Sequence, residues 1–238
     1  MTIPSRAFLI LFSLITILEI VGEMLPNKLL VYGCKPLIMI LLMGWTVSQC
    51  PNWQRNYPVR WLFVGMVFAL LGDVFLMIRE VDMFGPGLGS FLLMQVCYIS
   101  AFRQEIRAGK QRLSERRIAL TLLPFVAYAG GFLLYLDAPF HRTPGTQGLW
   151  GPVIFYVVCL CSMAIMAALR SNTGPMNHHQ RVLSGAVLFV LSDSAIALNK
   201  FALPVAGASL VIMATYAAAQ YLIVTGVVMA TTATLRSD

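Results

Sequence analysis

Ionisable side chains inside long apolar stretches are the residues of this sequence whose types and positions suggest chemistry. The charged ones are Glu19, Glu23, Lys35, Asp73 and Asp193, with Lys200 close to the end of a stretch. Amide and phenol groups occupy similar positions at Gln95, Tyr98, Asn199, Tyr216 and Gln220. A charge well inside a bilayer costs ~2.5–3.5 kcal/mol on insertion scales. Each of these groups therefore needs a partner, an aqueous cavity or a function.

The two aspartates, Asp73 and Asp193, are the groups best suited to catalysis. When two carboxyl groups share a low-dielectric site, one can stay protonated as an acid while the other is ionised as a base. That arrangement suits acid-catalysed hydrolysis. A zinc site is not expected, because His141, His178 and His179 all fall in predicted linkers, and the same placement argues against a Ser-His-Asp mechanism.

The elements that position these groups are transmembrane helices. Of the 238 residues, 58% are hydrophobic and only 11% are charged, and the mean hydropathy is +0.77, which is outside the range of soluble domains. Stretches of ~20 apolar residues are each long enough to cross the bilayer as a helix. The sequence predicts an all-α polytopic protein with one transmembrane domain over residues 1–238. The eight predicted spans are roughly 7–25, 29–49, 60–78, 87–102, 118–136, 150–169, 182–202 and 209–230.

The distribution of positive charge predicts the orientation. With eight spans, twelve Lys and Arg residues fall on one side and four on the other. The twelve are Arg6, Arg55, Arg60, Arg103, Arg107, Lys110, Arg112, Arg116, Arg117, Arg170, Arg181 and Arg236, and the four are Lys28, Arg79, Arg142 and Lys200. Because cytoplasmic linkers are enriched in Lys and Arg, we expect both termini in the cytoplasm, in a bacterial cytoplasmic (inner) membrane. The net charge of +7 is thereby explained, and no nucleic-acid partner is expected.

Six of the predicted spans direct a polar group at the same depth, about 10 Å below the non-cytoplasmic face at ~1.5 Å of helix per residue. These groups, which we call the polar layer, are Glu19, Lys35, Asp73, Gln95, Asp193 and Tyr216. Unpaired charges are not stable in hydrocarbon, so the layer predicts a hydrated pocket that opens toward the non-cytoplasmic side. Asp193 and Lys200, seven residues apart, share one helix face.

Other functions are compatible with the same residues. A proton- or ion-coupled small-molecule transporter would also place Asp and Lys residues at mid-membrane, although no inverted repeat is visible in the sequence. An intramembrane aspartyl protease and a non-catalytic lipid-binding scaffold are further alternatives. For any single residue, a hydrogen bond between helices is an equally good explanation.

Several motifs resemble those of the lysoplasmalogenase (YhhN-like) family of eight-helix membrane hydrolases. They are Gly72-Asp73-Val74-Phe75-Leu76-Met77, the segment from Phe91 through Tyr98 to Phe102, the run from Leu191 to Phe201, and Tyr216-x-x-x-Gln220. The resemblance extends from Lys35-Pro36 to Gln220, and its most specific part is Ser192-Asp193 with Ala197-Leu198-Asn199-Lys200-Phe201.

The resemblance implies metal-independent hydrolysis of the vinyl ether bond of a lysoplasmalogen, without a cofactor. The products are a fatty aldehyde and glycerophosphoethanolamine or glycerophosphocholine. Asp73 and Asp193 would be the catalytic acid and base, and either Lys35 or Lys200 would meet the phosphate of the lysophospholipid substrate. The remaining groups, Glu19, Gln95, Tyr98, Asn199, Tyr216 and Gln220, would bind or orient substrate and water. The expected environment is membrane lipid.

Overall fold

The computed structural model consists of eight long helices joined by short connections. It describes residues 4–78, 80–108, 113–143, 145–170, 176–204 and 206–234. The helices are α1 (Arg6–Met24), α2 (Lys28–Gln49), α3 (Tyr57–Met77), α4 (Phe84–Ala108), α5 (Glu115–Arg142), α6 (Trp150–Leu169), α7 (Met176–Phe201) and α8 (Ala208–Thr234). Short 3₁₀ turns lie at Trp53–Arg55 and Gln147–Leu149.

Helices make up all the regular structure within these described ranges, and each of the eight is long and apolar enough to cross a membrane. The predicted all-α membrane fold is therefore confirmed. The cytoplasmic location of both termini stays a prediction. Among the charges used to orient the chain, Arg79, Lys110, Arg112 and Arg236 lie outside the described residues.

Four helices are clearly longer than predicted, and one of them is α8, which continues to Thr234 rather than ending at 230. Helix α4 begins at Phe84 rather than at 87, because Asp82 Oδ1 accepts from Phe84 N at 3.0 Å and Pro86 lies in the first turn, where a missing N–H breaks no helical bond. Helix α5 continues to Arg142, past an internal Pro139. Helix α7 begins at Met176 rather than at 182.

The prediction that the three histidines lie in linkers is wrong, because all three lie within helices. His141 is in the last turn of α5, and His178 and His179 are in the first turn of α7. The cause is the same as for the helix lengths: polar residues extend helices beyond the apolar stretches that predict them. All three histidines still lie at helix ends, away from the polar layer.

The core forms around α8, the most buried of the eight helices, while α5 is the least buried. Helix α7 packs closely along α8. Two glycines permit this approach: a Cβ atom added to Gly185 would lie 2.8 Å from the Ala219 carbonyl oxygen, and one on Gly226 would lie 2.5 Å from Val182 Cγ2. Small residues at helix interfaces allow close backbone packing in membranes.

A buried ion pair joins α4 to the end of α6. Arg170 Nε lies 2.6 Å from Glu105 Oε2, and a second guanidinium nitrogen donates to Glu105 Oε1 at 2.7 Å. The guanidinium also lies 5.3 Å from the centre of the Phe102 ring. Arg170 is fully buried. The sequence had predicted that it is one of the charges of a cytoplasmic linker. Its pairing explains why α4 extends beyond the predicted end at 102.

Candidate active site

Asp193 on α7 forms a hydrogen-bonded pair with Tyr156 on α6. The Tyr156 hydroxyl donates to Asp193 Oδ2 at 2.5 Å. Tyr156 is almost completely buried. The next residue on α7, Ser194, is hydrogen-bonded to the hydroxyl of Tyr128 on α5 and donates to the Val190 carbonyl oxygen. Helices α5, α6 and α7 thus meet beside Asp193.

Asp73 on α3 forms an equivalent pair with Tyr216 on α8. The Tyr216 hydroxyl donates to Asp73 Oδ2 at 2.7 Å. One turn further along α8, Gln220 Oε1 accepts from the Tyr98 hydroxyl at 2.7 Å. All four residues are buried. The two aspartates therefore belong to two separate tyrosine–aspartate pairs, and they do not share one hydrogen bond as a carboxyl dyad would.

Lys35 on α2 lies between carboxylates. Its Nζ is 3.7 Å from Glu19 Oε1 and 3.5 Å from Glu23 Oε1, both on α1. Lys35 and Glu19 also lie close enough to Asp73 to interact with it electrostatically. Lys35 therefore supplies one positive charge among three carboxyl groups of α1 and α3, which stabilises negative charge at this depth of the membrane protein.

Gln95 on α4 is the least satisfied member of the polar layer. Its amide lies beside the Tyr156 hydroxyl. Yet neither Oε1 nor Nε2 makes a hydrogen bond of ordinary length and angle within the described part of the chain, although the side chain is fully buried. A buried polar group left without a partner costs ~1–3 kcal/mol. Such a group beside the tyrosine that contacts Asp193 is a candidate for binding water or a ligand.

An apolar pocket lies beside Asp193. Helices α3 to α7 all contribute to its walls. The lining residues are Leu76, Phe84, Leu88, Phe91, Tyr128, Phe132, Val153, Tyr156, Val157, Leu160, Asp193, Ser194, Ile196, Ala197 and Phe201. We call this space the chain pocket, because one carboxyl group in an otherwise hydrophobic cavity suits a long hydrocarbon chain with a single reactive polar centre.

A second, more polar cavity adjoins the chain pocket, and we call it the vestibule. The two spaces share Leu76, Phe84 and Ile196 in their walls. The polar side chains of the vestibule are Glu23, Lys35, Asn199, Lys200 and Ser209. Lys200 is partly exposed there, with Nζ 3.7 Å from Asp82 Oδ1 and 4.3 Å from the centre of the Phe84 ring.

The structure brings most of the predicted site residues into direct contact, in pairs. The pairs are Glu19 with Lys35, Asp73 with Tyr216, and Tyr98 with Gln220. Asn199 and Lys200 lie farther out, in the vestibule. Phe91 lines the chain pocket and packs against Tyr216 with ring centres 5.9 Å apart. The Asp73–Tyr216 pair therefore lies behind this ring, whereas Asp193 faces the pocket directly.

Tyr156 is the functional candidate that the sequence analysis missed. It lies in an apolar helix and has no charged neighbour in sequence. Counting residues from the end of the helix would have identified Tyr156, since it is six residues from the start of α6 at Trp150, or ~9 Å into the membrane. Among the residues that the structure describes, no group of three or more His, Cys, Asp or Glu side chains is arranged to hold a metal ion.

Comparison with known proteins then identifies the family. A model of the YhhN family matches residues 30–227, which is most of the chain. The chain belongs to the YhhN family. The resemblance inferred from its motifs is thereby confirmed. No solved structure matches this YhhN protein significantly.

Several curated relatives carry the name lysoplasmalogenase. The human lysoplasmalogenase TMEM86A is 34% identical over 167 residues, which cover 68% of this YhhN chain and 62% of the relative. The lysoplasmalogenase of Mycobacterium tuberculosis is 33% identical over 209 residues, 86% of this chain and 73% of the relative. Mouse lysoplasmalogenase TMEM86B is 28% identical over 192 residues, 80% and 71% respectively.

The chain spans about three fifths of the length of the human and bovine TMEM86A relatives that it matches. None of these relatives is named as a transporter, so the comparisons give the transporter alternative no support. The helices and the family together identify an integral membrane protein.

Proposed function

We propose that this YhhN protein is a lysoplasmalogenase, a hydrolase that cleaves the vinyl ether bond of a lysoplasmalogen. The observation that carries the proposal is the Asp193 carboxyl group, bonded to Tyr156, in the wall of an apolar pocket beside a polar vestibule. The products are a fatty aldehyde and a glycerophospho-ethanolamine or -choline. The names of the relatives support this substrate class. The protein acts in a bacterial cytoplasmic membrane.

The two cavities match the two ends of such a lipid. The alkenyl chain lies in the chain pocket, and the phosphate of the headgroup lies in the vestibule near Lys35 or Lys200, with Asn199 beside it. Asp193 and Lys200 are seven residues apart on one face of α7, which places them ~10 Å apart along the helix axis. That is comparable to the reach of an extended glycerol phosphate. A phosphate at Lys200 therefore brings the vinyl ether to Asp193.

Asp193 is the general acid in this mechanism, because it is the aspartate that faces the chain pocket. Its proton passes to the vinyl carbon that is not bonded to oxygen, and the electron pair of the C=C bond forms the new C–H bond. The adjacent carbon and the ether oxygen then share a positive charge. The Asp193 carboxylate left behind takes a proton from water as the water attacks that carbon. The resulting hemiacetal breaks down to aldehyde and a free hydroxyl group on glycerol.

Asp73 is the second catalytic aspartate, and it acts from behind Phe91. Its carboxylate stabilises the positive charge that develops in the pocket, as a fixed charge in a low-dielectric site does. Tyr216 orients Asp73 through its hydrogen bond, and Gln220 with Tyr98 holds the next turn of α8. Glu19 holds Lys35 toward the vestibule.

The proposal is tested with purified protein and two matched lipids, a lysoplasmalogen and the corresponding acyl lysophospholipid. We expect aldehyde from the first and no fatty acid from the second. Fatty acid release without aldehyde would overturn the proposal, and so would substrate-dependent liposome uptake without hydrolysis.

Two conservative variants test the assigned roles. Asp193→Asn and Asp73→Asn keep a carbonyl oxygen that can accept the tyrosine hydrogen bond, so both should fold. We expect Asp193→Asn to lower kcat by at least ~10²–10⁴-fold, the usual contribution of a general acid. Asp73→Asn should also abolish turnover. Size-exclusion chromatography and thermal unfolding show whether each variant is folded, and full activity in a folded variant would exclude the role given to that aspartate.

A further inference from the structure

The amide of Gln95 lies next to the groups that react in the proposed mechanism. The side chain is fully buried, and its polar atoms make no hydrogen bond of ordinary length and angle with the described residues. It lies beside the Tyr156 hydroxyl, which donates to Asp193. On α4, Gln95 is one helical turn beyond Phe91, which lines the chain pocket. An amide, a phenol and a carboxyl group therefore follow one another from Gln95 through Tyr156 to Asp193, and the last two line the chain pocket.

A water molecule is the ligand that fits these groups best. Buried waters in proteins make about three hydrogen bonds to polar groups that otherwise lack partners. The Gln95 amide provides one acceptor and two donors, and Tyr156 and Asp193 provide the other contacts. The proton transfer in the proposed mechanism does not require Gln95, since Asp193 supplies the proton.

We propose that Gln95 binds the hydrolytic water and thereby decides which product is formed. This inference rests on the proposed function. Once the vinyl carbon is protonated, two nucleophiles compete for the positively charged carbon. One is water, whose oxygen forms the new C–O bond while its proton passes to the Asp193 carboxylate. The other is the free hydroxyl group on the central glycerol carbon of the substrate itself.

The two outcomes differ chemically. Attack by water gives the hemiacetal, and its breakdown gives the aldehyde and the freed glycerol hydroxyl, with one water consumed. Attack by the internal hydroxyl closes a five-membered ring, and the same carboxylate takes the hydroxyl proton. The product is a cyclic acetal, which is an isomer of the substrate and consumes no water. A water held by Gln95 against the reactive carbon therefore protects the reaction from internal cyclisation.

The test compares product ratios in Gln95→Met and Gln95→Leu, which fill this buried position with an apolar side chain that binds no water. Each is incubated with lysoplasmalogen, and aldehyde and cyclic acetal are quantified by mass spectrometry with chromatographic separation of the isomers. We expect the ratio of cyclic acetal to aldehyde to rise at least ~10-fold, which corresponds to the loss of one hydrogen bond in the water-attack step. Total substrate consumption should fall less than aldehyde production.

Two further variants complete the design. Gln95→Glu keeps the length and the hydrogen-bonding oxygen, and it should restore aldehyde as the main product. Gln49→Met replaces an amide at the far end of α2, where it donates to Ser48, and it should give the wild-type ratio. Because the ratio is measured per substrate consumed, it does not depend on how much protein is folded.

The outcomes separate this inference from the proposed function. If wild-type protein releases no aldehyde from lysoplasmalogen, the proposed function fails. If wild-type protein releases aldehyde and both apolar variants release aldehyde without cyclic acetal, the role of Gln95 is overturned while the function stands. An equal rise of cyclic acetal in Gln49→Met would also contradict the inference.

Discussion

The hydroxyl group of Tyr156 offers the most direct test of how the site holds its acid. Tyr156→Phe removes one oxygen atom and leaves the ring, which lines the chain pocket, in place. The lost interaction is the 2.5 Å hydrogen bond to Asp193 Oδ2. Asp193 then keeps its position on α7 but loses the contact that orients its carboxyl group toward the substrate.

The size of the effect follows from that single bond. Hydrogen bonds to charged groups contribute about 1.5–3 kcal/mol. A tenfold change in rate corresponds to about 1.4 kcal/mol, so kcat should fall ~10- to 150-fold. KM should change less than about twofold, because the apolar contacts to the chain persist and the interaction acts on the transition state.

The assay is aldehyde release from lysoplasmalogen in mixed micelles, over a range of substrate fractions that gives kcat and KM separately. Tyr57→Phe is the matched control, since Tyr57 is 58% exposed at the start of α3 and stacks against Arg60. It should have wild-type kinetics. If Tyr156→Phe keeps kcat within twofold of wild type, or if only its KM changes, the orientation of Asp193 by Tyr156 is refuted.

Three other predictions concern the rest of the molecule. Arg170→Met should destabilise the fold by about 3–5 kcal/mol, because it leaves Glu105 buried without its partner, and Glu105→Leu added to it should recover much of the melting temperature in detergent. The hydrogen bond and charge of Lys28 hold the pKa of Glu80, in the exposed α3–α4 connection, at about 2, below its ordinary value of 4.5. The stability that this lowered pKa contributes is present above pH 4.5 and is lost as the pH falls from about 4.5 toward 2. Hydrogen exchange of the backbone amides in the connection measures that loss. Equal protection of these amides at both ends of the pH range would contradict the prediction. A reporter that is active only in the cytoplasm should be active when it is fused to either terminus. Activity of a reporter that works only on the opposite side of the membrane would contradict the predicted orientation.

The fold could be predicted from the sequence because the bilayer imposes one dominant rule. Each apolar stretch of ~20 residues must be a helix, and all eight predicted spans lie within observed helices to within a residue or two. The rule fails at helix ends, where polar residues continue a helix through contacts that hydropathy does not represent. Arg170 is the clearest case, since its burial depends on Glu105, which is 65 residues away in sequence.

The site could be predicted only in part, because depth is readable from sequence and lateral position is not. Counting residues along each helix placed the polar groups at one level. It gave no information on which helices are neighbours, so the two aspartates were treated as one pair. In the structure each has its own tyrosine, and Asp193 alone of the two lines the pocket. The sequence did not indicate Tyr156, because a tyrosine in an apolar helix cannot be distinguished from a residue that only packs in the core.

The buried Glu105–Arg170 pair and the site occupy opposite ends of the bundle. On α4, Gln95 and Glu105 are ten residues apart, or ~15 Å along the axis. The interior is closely packed at the end of the bundle that contains the ion pair, where every residue of α8 from 223 to 230 is buried. Both cavities lie toward the opposite end, which contains Lys200. For protein engineering, this divides the sequence into two libraries. Substitutions that raise heat tolerance belong at the Arg170 end, and those that broaden the range of accepted lipids belong around the cavities.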